Sequence, residues 1–453
     1  MTIELGLRWD RFGQTDYEDG LIYNWERRTG NVIVPAEAVK AVSPLYPTDR
    51  IKLTAGDAHQ HPSGRNVAPR VGVAYRPFGG NFVVRGGYGV YTETIGRFAR
   101  AEGGGPFQIS ETFFNAIQNG QPLFAMPNPF PAGSGQIPSQ SVSGFDPDTK
   151  NGRIHQFNFT VERQFRDIGI RLSYLGSRSR GLNYTTGINK PAASLIPFTQ
   201  ARRPFPQFVG VSYARNDGAA NFNGLTLQAQ RKVGQVMFDA HWTWASNYSN
   251  ALNLEDPYAP LFWNRDPNTV RHRVVLNAIW YLPFGNGTRF LSNAHSGLNR
   301  VVGGWQLYWI AYLETGQFFS PSYSGADPSN TNTVGGLPDR IANGNLAPSE
   351  RKLDRWFDTT AFARPPAGRF GNSGVNILEG PGLHMHDLTL GKTFPITERL
   401  KFTLMAAAQN VFNQPNFNNP GASLSAPGNY GVITSTRGFA PARQIMIRVR
   451  LEF

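Results

Sequence analysis

Apolar and polar residues alternate along short segments of this chain, and the last segment shows the pattern most clearly. Its apolar residues occupy every second position, at Ile445, Ile447, Val449, Leu451 and Phe453. Its polar residues lie between them, at Gln444, Arg448, Arg450 and Glu452. Because successive side chains of a β-strand point to opposite faces, the pattern predicts a strand with one apolar face. A strand of a soluble β-sandwich has the same pattern, so one segment does not decide the class of protein.

The alternation recurs at about twelve places, an even number as in bacterial single-chain outer-membrane barrels. The predicted strands cover residues 3–10, 70–76, 81–92, 156–162, 168–174, 225–230, 236–244, 269–282, 305–314, 386–394, 400–412 and 443–453. A tilted strand crosses a bilayer in ~9–11 residues, which is close to the length of most of these segments.

Short and long connections alternate between the predicted strands. The short turns cover 77–80, 166–167, 233–235 and 395–399; the long connections cover 13–68, 95–151, 177–223, 247–268, 317–385 and 413–442. One turn, 284–304, is longer than its place in this order predicts. Short periplasmic turns opposite long outer loops are typical of outer-membrane barrels, whereas a β-propeller would repeat every ~40–50 residues. We therefore predict an all-β fold, an antiparallel transmembrane β-barrel.

Aromatic residues lie at or near the ends of the predicted strands: Trp9, Tyr75, Tyr91, Trp244, Trp280, Tyr281, Trp305 and Phe394. Amphipathic rings collect where a barrel meets the lipid headgroups, so these residues are interpreted as aromatic girdles. The alternative is the ordinary enrichment of aromatic residues in strands.

Composition agrees with this fold and excludes others. Charged residues make up only 17% of the chain, and 49 Gly and 33 Pro suit many turns. No run reaches the ~18 apolar residues of a transmembrane helix, and alternating strands average to the observed mean hydropathy of -0.35. The absence of Cys excludes disulfides and Cys-based metal sites. The net charge of +13 is dispersed, so we expect lumen, rim and lipopolysaccharide-facing charge and no nucleic-acid partner.

Polar positions inside the predicted strands are candidates for the lumen wall: Arg8, Asp10, Gln156, Glu162, Asp239, His241, Arg448, Arg450 and Glu452. Among them, Asp239 and His241 share a predicted face with Thr243, but no nucleophile elbow such as G-x-S-x-G occurs. We therefore predict no catalytic site and no enzyme activity.

Two groups of histidines have spacings that could contribute to a metal site. Asp57, His59 and His61 lie close together in a predicted loop, yet no second anchoring pair is near, which favours a solvated loop. His384 and His386 alternate near the start of a strand, where a rim position beside the headgroups is the simpler interpretation. We predict no metal and no cofactor.

Several stretches, in this order, resemble one known family: LGLRWDRFG, PRVGVAYRPFGGNFVVRGGYGVY, HQFNFTVERQF, LSYLGSRSRGL, FNGLTLQAQRK, RHRVVLNAIWYLPFG and AAAQNVFNQPNF. The chain is similar over residues 1–453 to the C-terminal β-barrel of Oar-like TonB-dependent transporters. That resemblance implies a 22-stranded barrel, an N-terminal plug, a regulatory-like domain and energy supplied by the TonB complex through a TonB box. This sequence has no plug, TonB box, regulatory-like domain or signal peptide, so we expect it to be the C-terminal half of such a barrel, with edges at 2–11 and 443–453.

The resemblance implies import of a bulky, unidentified substrate that long extracellular loops capture. The alternatives are a passive porin-like channel of about twelve strands, an outer-membrane hydrolase and an adhesin. The loop stretches 115–143 and 320–349 are rich in Asn, Gly, Pro and aromatic residues, which suits polar ligands such as glycans or peptides.

The last strand also resembles the signal read by the outer-membrane assembly machinery. Phe453, Leu451 and Val449 would carry this signal, which makes Phe453 the expected natural end of the protein, whereas the N-terminus is expected to be a cut. The expected partners are therefore outer-membrane lipid and lipopolysaccharide, the assembly machinery, the extracellular ligand and, through the upstream region, the TonB complex.

Overall fold

A computed structural model describes residues 1–13, 20–61, 63–77, 80–93, 105–109, 117–118, 121–122, 139–397 and 399–453. Its main feature is an antiparallel meander of twelve strands, each hydrogen-bonded to the next long strand along the chain. They are β1 Thr2–Asp10, β2 Asn66–Tyr75, β3 Phe82–Thr92, β4 Arg153–Phe165, β5 Ile168–Gly187, β6 Gly210–Arg231, β7 Val236–Ser249, β8 His272–Tyr281, β9 Trp305–Glu314, β10 Leu383–Pro395, β11 Lys401–Gln409 and β12 Gln444–Glu452.

Shorter elements occur in the connections. The short strands are Asn24–Trp25, Val32–Val34, Leu53–Ala55, Ile117–Gln118, Gln121–Pro122, Ser141–Phe145, Asn264–Arg265, Phe318–Phe319, Asp339–Arg340, Phe362–Ala363 and Leu378–Glu379. Among the described residues, the helices include α1, Ser296–Val302, and the 3₁₀ turns Ala36–Ala41, Gln200–Arg202 and Thr359–Ala361. In the part of the chain that the structure describes, no helix is long and apolar enough to cross a membrane.

All twelve predicted strands are present, but β5 and β6 are much longer than expected. Residues 177–223 were predicted as one outer loop, whereas the pairing of β5 with β6 continues to Gly187 and Ser212, with two irregularities near Leu182. The added part of β5 is mostly polar on both faces, so it carries no apolar alternation. Smaller corrections concern the strand Ser141–Phe145 inside a predicted loop and the end of β11 at Gln409 rather than at residue 412.

The strand register places the apolar positions of all twelve strands on one face, because directly paired residues share a face. Leu5 pairs with Val71, which pairs with Tyr88, and the same face continues across the sheet to Ile447. Leu5 is 81% exposed and Ile447 is 74% exposed. A large exposed apolar surface on alternating strands is the lipid-facing surface of a membrane barrel.

The sheet has two ends of different character. At one end, the short-turn end, Arg166 adopts a positive φ of 53° and Gly234 one of 94°, which closes the two tight turns predicted there. The connection between β8 and β9 at this end is longer because it contains α1, whose last carbonyls at Arg300 and Val301 accept hydrogen bonds from Lys392. The other end, the long-loop end, carries the six long connections.

The two outer strands of the sheet are β1 and β12, the segments expected at its edges. Among the described strands, β1 pairs with β2 and β12 pairs with β11, and neither pairs with the other. The sheet is therefore open along both of these strands.

Two hydrophobic cores lie in the long loops rather than in the sheet. The first joins loop residues to the β5–β6 extension around the fully buried Trp25 and Phe208. The second surrounds Phe357 and Leu378 and includes aromatic contacts with Tyr430 from the β11–β12 loop. These cores hold the loops in defined positions above the sheet.

Candidate ligand-binding pocket in the long loops

The nine candidate lumen residues all lie on the polar face of the sheet, opposite the apolar face. The strand register puts Gln156 beside Ser177, Glu162 beside Arg171, and Met405 beside Arg448. On the two edge strands, β1 and β12, candidate residues two positions apart form ion pairs. Arg8 Nε donates to Asp10 at 2.5 Å, and Arg450 Nε lies 2.9 Å from Glu452.

A polar network crosses β3 to β7 on this face. The Glu162 carboxylate accepts hydrogen bonds from Arg85 at 2.6 Å and Arg171 at 2.8 Å, and Arg171 Nη1 reaches Gln228 at 3.4 Å. Gln228 in turn donates to Asp239 at 2.8 Å. The network makes this face of the sheet continuous and hydrophilic.

Asp239 and His241 share the polar face of β7. Asp239 is engaged by Gln228, and the described residues show no hydrogen bond between Asp239 and His241. Beside them, Thr243 exchanges a hydrogen bond of 3.1 Å with Thr226 on the neighbouring strand. Polar-face contacts of this kind fit a wall better than they fit a charge-relay arrangement.

The Asp57 loop forms a hydrogen-bonded clasp between two long connections. His59 Nδ1 and His61 Nε2 lie 2.7 and 2.8 Å from the two Asp57 oxygens, and His61 Nδ1 lies 3.1 Å from Asp148. The hydrogen bond from His61 lowers the pKa of Asp57 to about 2, and the bonds to Asp57 and Asp148 raise the pKa of His61. Across the described ranges, no group of three or more such side chains is placed to hold a metal ion.

His386, which the sequence places at the rim beside the headgroups, contacts two aromatic side chains. Trp309 Nε1 donates to its Nδ1 at 3.3 Å, and the Phe412 ring lies 5.1 Å away, edge to face. His384 lies on the same face of β10 as His386, because the two residues are two positions apart. This is the apolar face of the sheet, since His384 pairs with Leu313.

The candidate site is a pocket where the β5–β6, β7–β8 and β9–β10 loops meet. Its volume is about 490 Å³, within the range of small-molecule sites. It is lined by Ala193, Asn253, Glu255, Asp256, Ala259, Pro260, Phe262, Asn264, Arg369, Phe370, Gly371, Asn372 and Gly374. We call this cavity the loop pocket.

Hydrogen bonds between the three loops hold the loop pocket together. Lys190 Nζ donates to the Glu255 carbonyl at 2.8 Å, and the Leu337 amide donates to the Glu255 carboxylate at 3.0 Å. From the β9–β10 loop, Asn330 donates to the Ser194 carbonyl at 2.9 Å. The pocket walls are thus joined by direct contacts and not only placed near one another.

The lining combines apolar side chains with a weakly acidic set of polar groups. Burial raises the pKa of the Glu255 carboxyl, and the one lining arginine, Arg369, is already paired with Asp339 through two hydrogen bonds. Phe262 is 55% exposed and lines the pocket together with Asn253 and Asn372. Amide and carboxylate acceptors beside an exposed ring suit a ligand with several hydroxyl or amine donors.

The comparisons with known proteins agree with the architecture. Residues 1–446 match the family described as outer membrane beta barrel domain. The chain belongs to this family. Its apolar face is therefore the lipid-facing surface of an outer-membrane protein, and its strands cross the outer membrane.

Solved structures similar to this outer-membrane chain are transporters and receptors. The outer membrane transporter YddB from Escherichia coli is 10% identical, with a TM-score of 0.42, over 86% of this chain and 41% of that protein. The siderophore receptor PirA from Acinetobacter baumannii is 9% identical, with a TM-score of 0.41, over 86% and 41%. This chain therefore spans less than half the length of these proteins. No curated protein sequence matches it.

The loop pocket could not be found from the sequence, since its lining residues come from three loops and follow no motif. Of the two loop stretches expected to suit polar ligands, 320–349 is described and adjoins the pocket through Leu337. The other, 115–143, lies mostly outside the described residues.

Proposed function

We propose that this chain is the wall and outer-loop region of an outer-membrane transporter that captures a bulky ligand in the loop pocket. The observation that carries the proposal is a built pocket, joined by hydrogen bonds, at the long-loop end of a membrane-crossing sheet. The hydrophilic face of the same sheet would line the route inward.

The open sheet supports a barrel with more strands than the twelve described. In lipid, each unpaired backbone polar group costs several kcal/mol, so an edge strand in the membrane requires a partner. A closed twelve-strand porin would need β1 to pair with β12, and the described strands do not pair in that way. We therefore propose the TonB-dependent class, with plug and TonB contact supplied by other parts of the protein.

The class of transport can be tested by liposome swelling with the full-length protein. A gated transporter should give no swelling in arabinose above protein-free liposomes, because its lumen is closed at rest. Swelling at a rate comparable to that of a general porin would overturn the proposal in favour of the passive channel.

The ligand class can be tested by binding of labelled maltohexaose and chitohexaose, chosen for their many hydroxyl and amide groups. We expect at least one to bind, and Phe262→Ala to weaken binding by up to about tenfold, because a ring contact contributes ~0.5–1.5 kcal/mol and 1.4 kcal/mol is a factor of ten. Phe290→Ala is the matched control, since Phe290 is also exposed but lies at the short-turn end. Equal loss in both variants would contradict the assignment of the pocket.

A further inference from the structure

Basic residues collect on the lipid-facing side of the sheet at the long-loop end of β4 and β5. Arg153 pairs directly with Arg180, and His155 pairs directly with Arg178, on adjacent strands. One further step along the row, Arg178 pairs with Asn221. We call Arg153, His155, Arg178 and Arg180 the outer basic patch.

The strand register fixes both the face and the height of this patch. Phe157 and Phe159 follow His155 along β4 on the same face, and their partners Gly176 and Tyr174 precede Arg178 along the antiparallel β5. The patch thus begins where the apolar surface ends, at the end of the strands that carries the long loops. That is the level at which the headgroups of the outer leaflet meet a barrel.

The described residues place no carboxylate within 4.0 Å of the three arginines. Their hydrogen bonds go to neutral acceptors: Arg153 to the Arg65 carbonyl, Arg178 to the Ser177 and Phe222 carbonyls and Asn223 Oδ1, and Arg180 to the Ser179 and Ala220 carbonyls and Asn221 Oδ1. Like charges directly opposite each other on paired strands repel, so the Arg153–Arg180 pair is unfavourable without a bound anion.

The same contacts hold the guanidinium groups in fixed positions. Arg178 lies 5.5 Å from the Phe157 ring centroid, and Arg180 lies 5.7 Å from the Trp263 ring centroid. Each arginine keeps N–H groups beyond those already donated, because a guanidinium carries five. Fixed, unneutralised guanidinium groups match phosphate oxygens, which they can bind in pairs.

The basic character continues sideways along the same row of residues. Asn221 pairs with Tyr248, which pairs with Arg265. The Arg265 guanidinium lies 4.8 Å from the Tyr248 ring centroid and 4.4 Å from that of Phe318. Arg265 also donates to the Tyr248 hydroxyl at 2.6 Å and lines a cavity with residues of the β9–β10 loop, so the outer basic patch itself ends at Arg178 and Arg180.

We propose that the outer basic patch binds the phosphate groups of a phosphorylated glycolipid in the outer leaflet. The patch faces lipid rather than the hydrophilic face of the sheet, so a soluble ligand passing inward would not meet it. The apolar surface directly below, from Phe157 and Phe159 onward, would contact the acyl chains of the same lipid. The inference is independent of the proposed transport function.

The test is native mass spectrometry of the full-length protein in detergent, titrated with bisphosphorylated lipid A. We expect wild type to retain the lipid and the variant Arg153→Gln/Arg178→Gln/Arg180→Gln to bind it at least tenfold more weakly. Arg163→Gln is the matched control, because Arg163 lies on the same strand and face but at the short-turn end. It should bind as wild type does.

Three results would overturn the proposal. The first is equal binding by the triple variant and the control. The second is equal retention of lipid A lacking both phosphates, which would assign the contact to acyl chains alone. The third is complete displacement of lipid A by inorganic phosphate present at the same concentration as the lipid, which would indicate a site for free anions. If the triple variant does not fold, as judged by heat-modifiable migration, the single variant Arg180→Gln should still show a partial loss.

Discussion

The buried ion pair between Glu314 and Arg437 should control the order of the β11–β12 loop. Glu314 ends β9, and Arg437 lies in the loop before β12; their side chains are 6% and 5% exposed, with the charged atoms 3.5 Å apart. Arg437 also donates to the Pro381 carbonyl at 2.8 Å and the Phe417 carbonyl at 3.0 Å. One side chain therefore joins three separate segments.

The variant Arg437→Met removes these contacts while keeping most of the side-chain volume. Breaking a buried ion pair costs ~3–5 kcal/mol when the remaining charge has no other partner. Glu314 keeps Arg273 at 3.1 Å and the Tyr312 hydroxyl at 2.9 Å, which reduces that cost. The buried Pro381 carbonyl and the part-buried Phe417 carbonyl, however, both lose a charged donor. We expect a loss of about 3 kcal/mol in the free energy of opening of this loop.

Hydrogen exchange of the full-length protein, followed by mass spectrometry, measures this loss directly. Opening that is easier by about 3 kcal/mol should speed exchange of protected loop amides on the order of a hundredfold, since 1.4 kcal/mol is a factor of ten. The Asn418 amide, which donates to the Ser435 carbonyl, is one such reporter. The control is Arg443→Met in the same loop, because Arg443 is exposed. Unchanged exchange in Arg437→Met, or equal change in both variants, would refute the reasoning.

Three further predictions concern other parts of the chain. The His61–Asp57 clasp should be complete between about pH 4, where Asp57 is ionised, and the pKa that His61 has in the unfolded chain. It should be lost as the pH rises through the higher pKa that His61 has in the folded protein. Proteolysis near residues 57–61 should therefore be faster at pH 8.5 than at pH 5.5. Equal rates in wild type and His61→Gln at both values would contradict this. Gly371→Ala should displace the loop-pocket wall, because a Cβ there would lie 1.9 Å from the Leu337 carbonyl oxygen, and oligosaccharide binding should fall; unchanged binding would count against the pocket geometry. Deleting Phe453 from the full-length protein should lower outer-membrane insertion, and an unchanged yield of heat-modifiable barrel would refute the assembly signal.

The membrane-crossing strands could be predicted because lipid imposes a strict pattern on them. One face must be apolar and the other can be polar, so the alternation predicts β9 at Trp305–Glu314, which are the bounds in the structure. Above the membrane that requirement ends. The extension of β5 beyond Ser177 is therefore invisible to hydropathy, although its backbone pairing with β6 continues.

The loop pocket, the Asp57 clasp and the outer basic patch could not be predicted, because each depends on contacts between residues far apart in sequence. Asp57 and His61 were recognised as neighbours, but their partner Asp148 lies 87 residues from His61. The outer basic patch was equally hidden, since dispersed arginines become a cluster only when the register places Arg153 opposite Arg180. Local pattern determines strands, whereas register and loop packing determine sites.

The long β5–β6 hairpin has a consequence for what the cell surface presents. The ten residues of β5 from Arg178 to Gly187 rise about 30 Å along the strand, at ~3.3 Å per residue. The hairpin therefore carries residues 188–209 at its tip away from the membrane-crossing part of the sheet, where they pack against the neighbouring loops. Large objects that approach the cell, such as antibodies or phage tail fibres, would meet this tip before they reach the membrane.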